Sequence, residues 1–113
     1  MENCLFCKIV AGDIPSNKAY EDADILAFHD IAPQAPVHVL IIPKRHIASA
    51  NALTRGDDAV LCKMFEVARI LAKDLGIDET GYRLITNIGP DGGQTVPHLH
   101  LHLIGGRELK WEN

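Results

Sequence analysis

Residues 89–104 read GPDGGQTVPHLHLHLI, and their second half alternates histidine with leucine: His98, Leu99, His100, Leu101, His102, Leu103. Alternation with period two marks an extended chain with two unlike faces, so a strand over Val96 to Ile104 carries three leucines on one side and three imidazoles on the other. The leucines read as core. The imidazoles do not read as an ordinary solvated face, because three of the six histidines of the chain fall within five residues. Just upstream, GPDGGQT is rich in the residues that make tight turns, whose free backbone N–H groups suit an anion. A phosphate-like group beside a row of imidazoles is the first functional reading.

Working outward, the flanking patterns give the rest of the fold. Tyr82 to Asn87 precedes the glycine-rich loop as a further strand. A helix is expected from Asp57 to Leu75, where Val60, Leu61, Met64, Val67, Ala68, Leu71 and Leu75 recur at helical spacing and Gly76 ends it. Within this helix Cys62 reads as a small buried apolar side chain. Val37 to Ile42 is apolar apart from His38, which marks a central strand closed by Pro43. Lys18 to Glu21 and Ile25 to His29 flank the turn Asp22-Ala23-Asp24 as a hairpin. Near the N-terminus, Asn3 caps a short helix with Leu5, Phe6, Ile9 and Val10 on its apolar face and Gly12 as its stop. Five short strands, one long helix and one short helix predict an α+β domain with a mostly antiparallel sheet, covering residues 1–113 as a single unit.

Composition narrows the function. The chain has 113 residues, 47% of them hydrophobic, and a net charge of −4, so it lacks the basic footprint of a nucleic-acid binder while a mononucleotide ligand stays open. No apolar run approaches membrane-spanning length, and a soluble, cytoplasmic protein is expected. Three cysteines are too few for a disulfide scaffold.

Residues two apart on a strand are about 6.6 Å apart, so neighbouring imidazoles can meet, whereas His98 and His102, at about 13 Å, cannot share one ligand atom unaided. The central His100 is the candidate nucleophile toward phosphorus, provided its other ring nitrogen is held. His102 is placed to touch the phosphoryl group, and His38 to line the same cavity from a neighbouring strand. Gly93, Gln94 and Thr95, with the Asn87 amide, are candidate phosphate contacts. The competing readings are a catalytic zinc on the His-x-His pair and His38, and a histidine-rich solvated strand. Cys4-Leu5-Phe6-Cys7 offers half of a structural zinc site, completed by histidines such as His46 and His98; a redox pair and two small core residues are the alternatives. Asp30 reads as a turn residue that can also bind a sugar diol, Leu5, Phe6, Ile9, Phe28 and Ile31 as core, and Lys44-Arg45 as a solvated turn.

His98 to Ile104 resembles the histidine triad motif, in which histidine alternates with hydrophobic residues, of the HIT superfamily. Ala27-Phe28-His29-Asp30-Ile31, Pro36-Val37-His38, Ile42-Pro43-Lys44-Arg45-His46-Ile47, Asn87-Ile88-Gly89, Asp91-Gly92-Gly93-Gln94-Thr95-Val96, Gly105-Gly106-Arg107 and Trp111 resemble its Hint branch, the histidine triad nucleotide-binding proteins. The resemblance covers nearly the whole chain. It implies a homodimer whose two five-stranded sheets join, and hydrolysis of purine nucleoside phosphoramidates of the AMP-amine type. By position it implies His100 as the nucleophile that forms a nucleotidyl-histidine. It further implies Asn87, Gly93, Gln94, Thr95 and His102 as phosphate contacts, Asp30 as ribose ligand, and Ile31 with Leu5, Phe6, Ile9 and Phe28 as base pocket. No cofactor for catalysis is implied, but some members hold a structural zinc, here matched by Cys4, Cys7, His46 and His98. A nucleotide-binding interaction module with incidental catalysis is the alternative function.

Overall fold

In the computed structural model, which describes residues 3–112, the sheet is built as the patterns predict. Strands β1 (Lys18–Glu21), β2 (Ile25–His29), β3 (Val37–Pro43), β4 (Tyr82–Ile85) and β5 (Leu101–Gly105) lie in the order β1-β2-β3-β5-β4. Every neighbouring pair is antiparallel. Helix α1 (Leu5–Ala11) precedes the sheet, and helix α2 (Asp58–Asp74) lies between β3 and β4. No helix among the described residues is long and apolar enough to cross a membrane.

The period-two pattern explains how each face is covered. Ile25, Ala27, Val39, Ile41, Leu101 and Leu103 pack with Met64, Val67, Ala68 and Leu71 of α2. The alternate residues Leu26, Phe28, Leu40 and Ile42 turn to the other face, where α1 covers them with Phe6 and Ile9. Strand β3 is apolar apart from His38 because both its faces are covered. The helix ends follow local chemistry: Gly76 adopts φ 75°, and the Ile77 N–H reaches back to the Ala72 carbonyl at 2.9 Å to close α2.

Four expectations change. The long strand expected over Val96 to Ile104 begins only at Leu101. The ladder pairs Leu101 with Ile41, so its continuation would set Leu99 opposite Pro43, which has no N–H to donate. The Leu99 N–H instead reaches the Ile47 carbonyl at 2.6 Å, and Pro97 sits in a turn where the His98 N–H bonds the Val96 carbonyl. Strand β4 likewise ends at Ile85 rather than Asn87, where the chain turns into the glycine-rich loop. Helix α1 is capped by Cys4 rather than Asn3: the Cys4 Sγ accepts the Cys7 N–H at 3.4 Å. Cys62 is exposed, one position off the stripe of α2 that reaches the core.

Candidate functional site

The face of the sheet under α1 carries the imidazoles. His38 shares the side of β3 that holds Leu40 and Ile42, and His102 stands opposite Leu40 in the ladder. His100, ahead of the strand, is buried with its ring edge-on to Phe6 at 5.1 Å and to His102 at 5.0 Å. The leucines between them, Leu99, Leu101 and Leu103, all face α2, so the two-faced reading holds even where the ladder does not.

A cavity of about 300 Å³ opens on this face. His100, His102 and Thr95 bound it together with Asp30 and Ile31. Leu5, Phe6, Ile9 and Phe28 form its apolar wall. Ile31 is fully exposed at its lip, and Asp30 is fixed by its own turn, its N–H on the His38 carbonyl and its Oδ1 accepting the Ala32 N–H. The segment Ile14 to Asn17, Leu40 and Val96 also line it and were not anticipated. Leu40 was available from the alternation with His38; the Ile14 to Asn17 segment has no periodic signal. A larger concavity of about 560 Å³ lies beside α2, but its Lys44, Arg45 and Lys63 are paired with Glu21, Asp57 and the two acids Asp22 and Asp24. It offers no free charge to a ligand.

The hydrogen bonds fix the histidine tautomers. Backbone carbonyls accept only, and backbone N–H groups donate only. The His100 Nδ1 lies 2.6 Å from the His98 carbonyl and therefore carries the proton, leaving the Nε2 with its lone pair. The Gln34 N–H donates to the His38 Nδ1 at 3.1 Å, so the His38 Nε2 is protonated and donates to the His102 Nδ1 at 2.9 Å. In turn, a neutral His102 carries its proton on Nε2. Burial pushes the His102 imidazole down to about 4, and charge on His100 or His38 acts in the same direction while Asp30 opposes it. Burial also lowers His38, against the pull of Asp30, whose Oδ2 is 3.5 Å from its Nε2.

His98 faces away from this chemistry. Its Nε2 donates to the Pro43 carbonyl at 2.8 Å, which leaves the Nδ1 lone pair 3.3 Å from the Cys4 Sγ and 3.6 Å from the Cys7 Sγ. The His46 Nδ1 lies 3.3 Å from the Cys7 Sγ. Tetrahedral zinc with bonds of about 2.3 Å to sulfur and 2.0–2.1 Å to nitrogen needs S···N edges of about 3.6 Å, and the four ligand atoms here fit that size. A second group, Asp30, His38 and His102, is also compact, with its atoms within 4.8 Å of one another. It does not suit a metal, because the Gln34 N–H occupies the His38 Nδ1 and forces the proton onto the Nε2 that would have to ligate.

The glycine-rich loop divides into contact and support. The Gly93 N–H bonds the Pro90 carbonyl and the Gln94 N–H the Gly89 carbonyl, both at 3.0 Å, while the Asn87 Nδ2 holds the Gly92 carbonyl at 2.7 Å. The Gln94 side chain is occupied at both ends, accepting from the Gly89 N–H and donating to the Ala48 and Val96 carbonyls. Of the four loop residues expected to touch phosphate, Thr95 lines the cavity and Asn87, Gly93 and Gln94 do not.

Residues 11–109 match the HIT domain. A HIT-like protein of Synechococcus elongatus is 48% identical over 110 residues, covering 97% of this chain and 96% of that protein. Among solved structures, a HIT family hydrolase from Legionella pneumophila superposes with a TM-score of 0.95 at 52% identity, over 96% of this chain and 97% of that one. A histidine triad nucleotide-binding protein from Candida albicans superposes with a TM-score of 0.82 at 41% identity, covering 89% of this chain and 73% of the other.

Proposed function

The chain belongs to the HIT domain family, and we propose that it hydrolyses purine nucleoside 5′-phosphoramidates through a nucleotidyl-histidine at His100. The observation that carries this reading is the tautomer of His100: a buried imidazole whose Nδ1–H is held by a backbone carbonyl and whose Nε2 lone pair is left for attack. The base lies against Phe6, Ile9, Phe28 and Leu5 under Ile31, the ribose at Asp30, and the phosphorus at His100. The His102 Nε2–H and the Thr95 hydroxyl donate to the nonbridging oxygens. Nε2 attacks phosphorus, the P–N bond breaks, and the amine leaves with a proton taken from solvent, which the water of the second step returns. The positive charge left on the nucleotidylated imidazole is spread onto the Nδ1–H, which the His98 carbonyl already accepts. Water then cleaves the P–Nε2 bond, releasing the nucleoside monophosphate and the free imidazole. Asn87, Gly93 and Gln94 serve this step by holding the loop that presents Thr95.

Cys4, Cys7, His46 and His98 are proposed to hold a structural zinc, which supplies a cross-link between the start of α1 and the segment entering β5. Catalysis itself draws on no metal in this reading. The proposed homodimer joins the two sheets through β4, the edge strand with one charged residue, Arg83, whereas the other edge, β1, carries Lys18 and Glu21. Free thiols and a dithiol metal site suit the reducing cytoplasm.

The test is His100→Asn. It should keep AMP binding by calorimetry and lower hydrolysis of a fluorogenic adenosine phosphoramidate by roughly a thousandfold or more. Unchanged hydrolysis overturns the assignment, and elemental analysis that finds no zinc in freshly purified, chelator-free protein overturns the metal.

A further inference from the structure

The thiol cluster and the nucleotide cavity are adjacent, and two short paths join them. One runs through His98: its Nδ1 faces both sulfurs, while its backbone carbonyl, in the same residue, holds the His100 Nδ1–H at 2.6 Å. The other runs through α1: Cys4 caps the helix and Cys7 lies in its first turn, between Phe6 and Ile9 of the cavity wall. Phe6 touches both sides, edge-on to the His98 ring at 5.9 Å and to the His100 ring at 5.1 Å.

We propose that the Cys4–Cys7 pair is a modification site for hydroperoxides, and that its oxidation to a disulfide disables the nucleotide site. The inference rests on the zinc and nucleotide assignments proposed above. Residues three apart at a helix start have Cα atoms about 5 Å apart, inside the 4.4–6.8 Å range of disulfides. The sulfurs already lie within 4.8 Å of each other and of both imidazoles. Cys7 is partly exposed and meets the oxidant first. Its thiolate attacks the terminal oxygen of the hydroperoxide, the O–O bond breaks, and the expelled alkoxide, or hydroxide from hydrogen peroxide, takes a proton from solvent and departs as alcohol or water, with a sulfenic acid left on sulfur. The Cys4 thiolate then displaces hydroxide, which leaves as water with one proton from solvent. Two electrons have passed from two sulfurs to one hydroperoxide. Oxidation leaves His46 and His98 as the only remaining ligands, so a bound zinc would be lost, and the contraction between the sulfurs pulls the cap of α1 away from His98. Both the wall that meets the base and the carbonyl that fixes the nucleophile lose their anchor.

The test uses the full-length, zinc-loaded protein and hydrogen peroxide in slight excess. Mass spectrometry should show a loss of two hydrogens with free thiols, counted in denaturant with chelator, falling from three to one, and a metallochromic indicator should show one zinc released per chain. AMP affinity by calorimetry and kcat/KM for adenosine phosphoramidate should each fall at least tenfold. A dithiol reductant with added zinc should restore both. Cys62→Ala should respond like the parent, and Cys7→Ser should form no intramolecular disulfide. The inference is overturned if zinc leaves and the disulfide forms while AMP affinity is unchanged, or if Cys4 and Cys7 survive an excess of peroxide that oxidises Cys62. Should the reduced protein bind AMP but hydrolyse nothing, the enzymatic reading fails alone, and mass, zinc release and AMP affinity still decide this one.

Discussion

Lowering the pH from 7 to 4.5 should destabilise the protein through His102, by an amount fixed by its surroundings. The His102 imidazole is held down to about 4, against an ordinary value of 6.5, first by burial and then by its histidine neighbours. The hydrogen bonds supply a further reason with the same sign: His38 already donates to the His102 Nδ1, so a proton arriving there would set two N–H groups face to face. A folded value below the unfolded one means that the native state binds fewer protons, so the stabilisation is complete above about pH 6.5 and is lost as the pH falls toward 4. The full gap is worth roughly 3 kcal/mol, of which about 2–3 kcal/mol is gone by pH 4.5. His38 and His98, lowered in the same direction by burial, add to the total, which is why the comparison must be made against a variant lacking only His102. Urea unfolding of the parent and of His102→Gln at both pH values isolates it: the parent should lose about 2–3 kcal/mol more than the variant. Equal losses in the two proteins, or an imidazole of His102 that titrates near 6.5 by nitrogen-detected NMR, refutes the lowered titration of His102 and the stabilisation drawn from it.

The remaining predictions concern support of the cavity. Phe6→Ala removes a side chain that is 4% exposed and packed edge-on to Phe28 at 5.5 Å; unfolding should cost about 3–5 kcal/mol less, and KM should rise more than kcat falls. An unchanged KM argues against Phe6 as a wall for the base. Gln94→Ala strips three hydrogen bonds from the loop and should lower stability by about 1–3 kcal/mol, with the loss of turnover recovered in part by Gln94→Glu, which keeps the acceptor for the Gly89 N–H. A loss of turnover at unchanged stability would instead make Gln94 a direct contact.

The fold was legible because its signals are local. The nearly unbroken apolar run of Val37 to Ile42 reports a central strand covered on both faces and the helical stripe of Val60 to Leu75 reports one buried face, and the structure places both accordingly. Misreadings arose where a long-range partner decides. Nothing within Val96 to His100 says that its ladder position would meet Pro43, and Leu99 must find Ile47 instead. The cap of α1 shows the same limit, since Asn3 is the stronger local candidate but the Cys4 sulfur takes the Cys7 N–H.

The departure of His98 and His100 from the ladder is also what makes the site work. In a regular antiparallel strand the His98 carbonyl would be spent on the neighbouring strand or turned along the sheet, and the His100 Nδ1 would have no acceptor two residues back. Released from pairing by Pro43 and Pro97, the chain lets this carbonyl take the His100 proton at 2.6 Å while the His98 ring turns to the cysteines. The Pro43 carbonyl, likewise free, takes the His98 Nε2 proton and leaves the Nδ1 lone pair to the sulfurs. One interruption of the sheet thus sets the tautomers of two histidines in opposite senses. The period-two pattern of the sequence identified the histidine face, but the division of labour on that face depends on the break in that pattern's ladder.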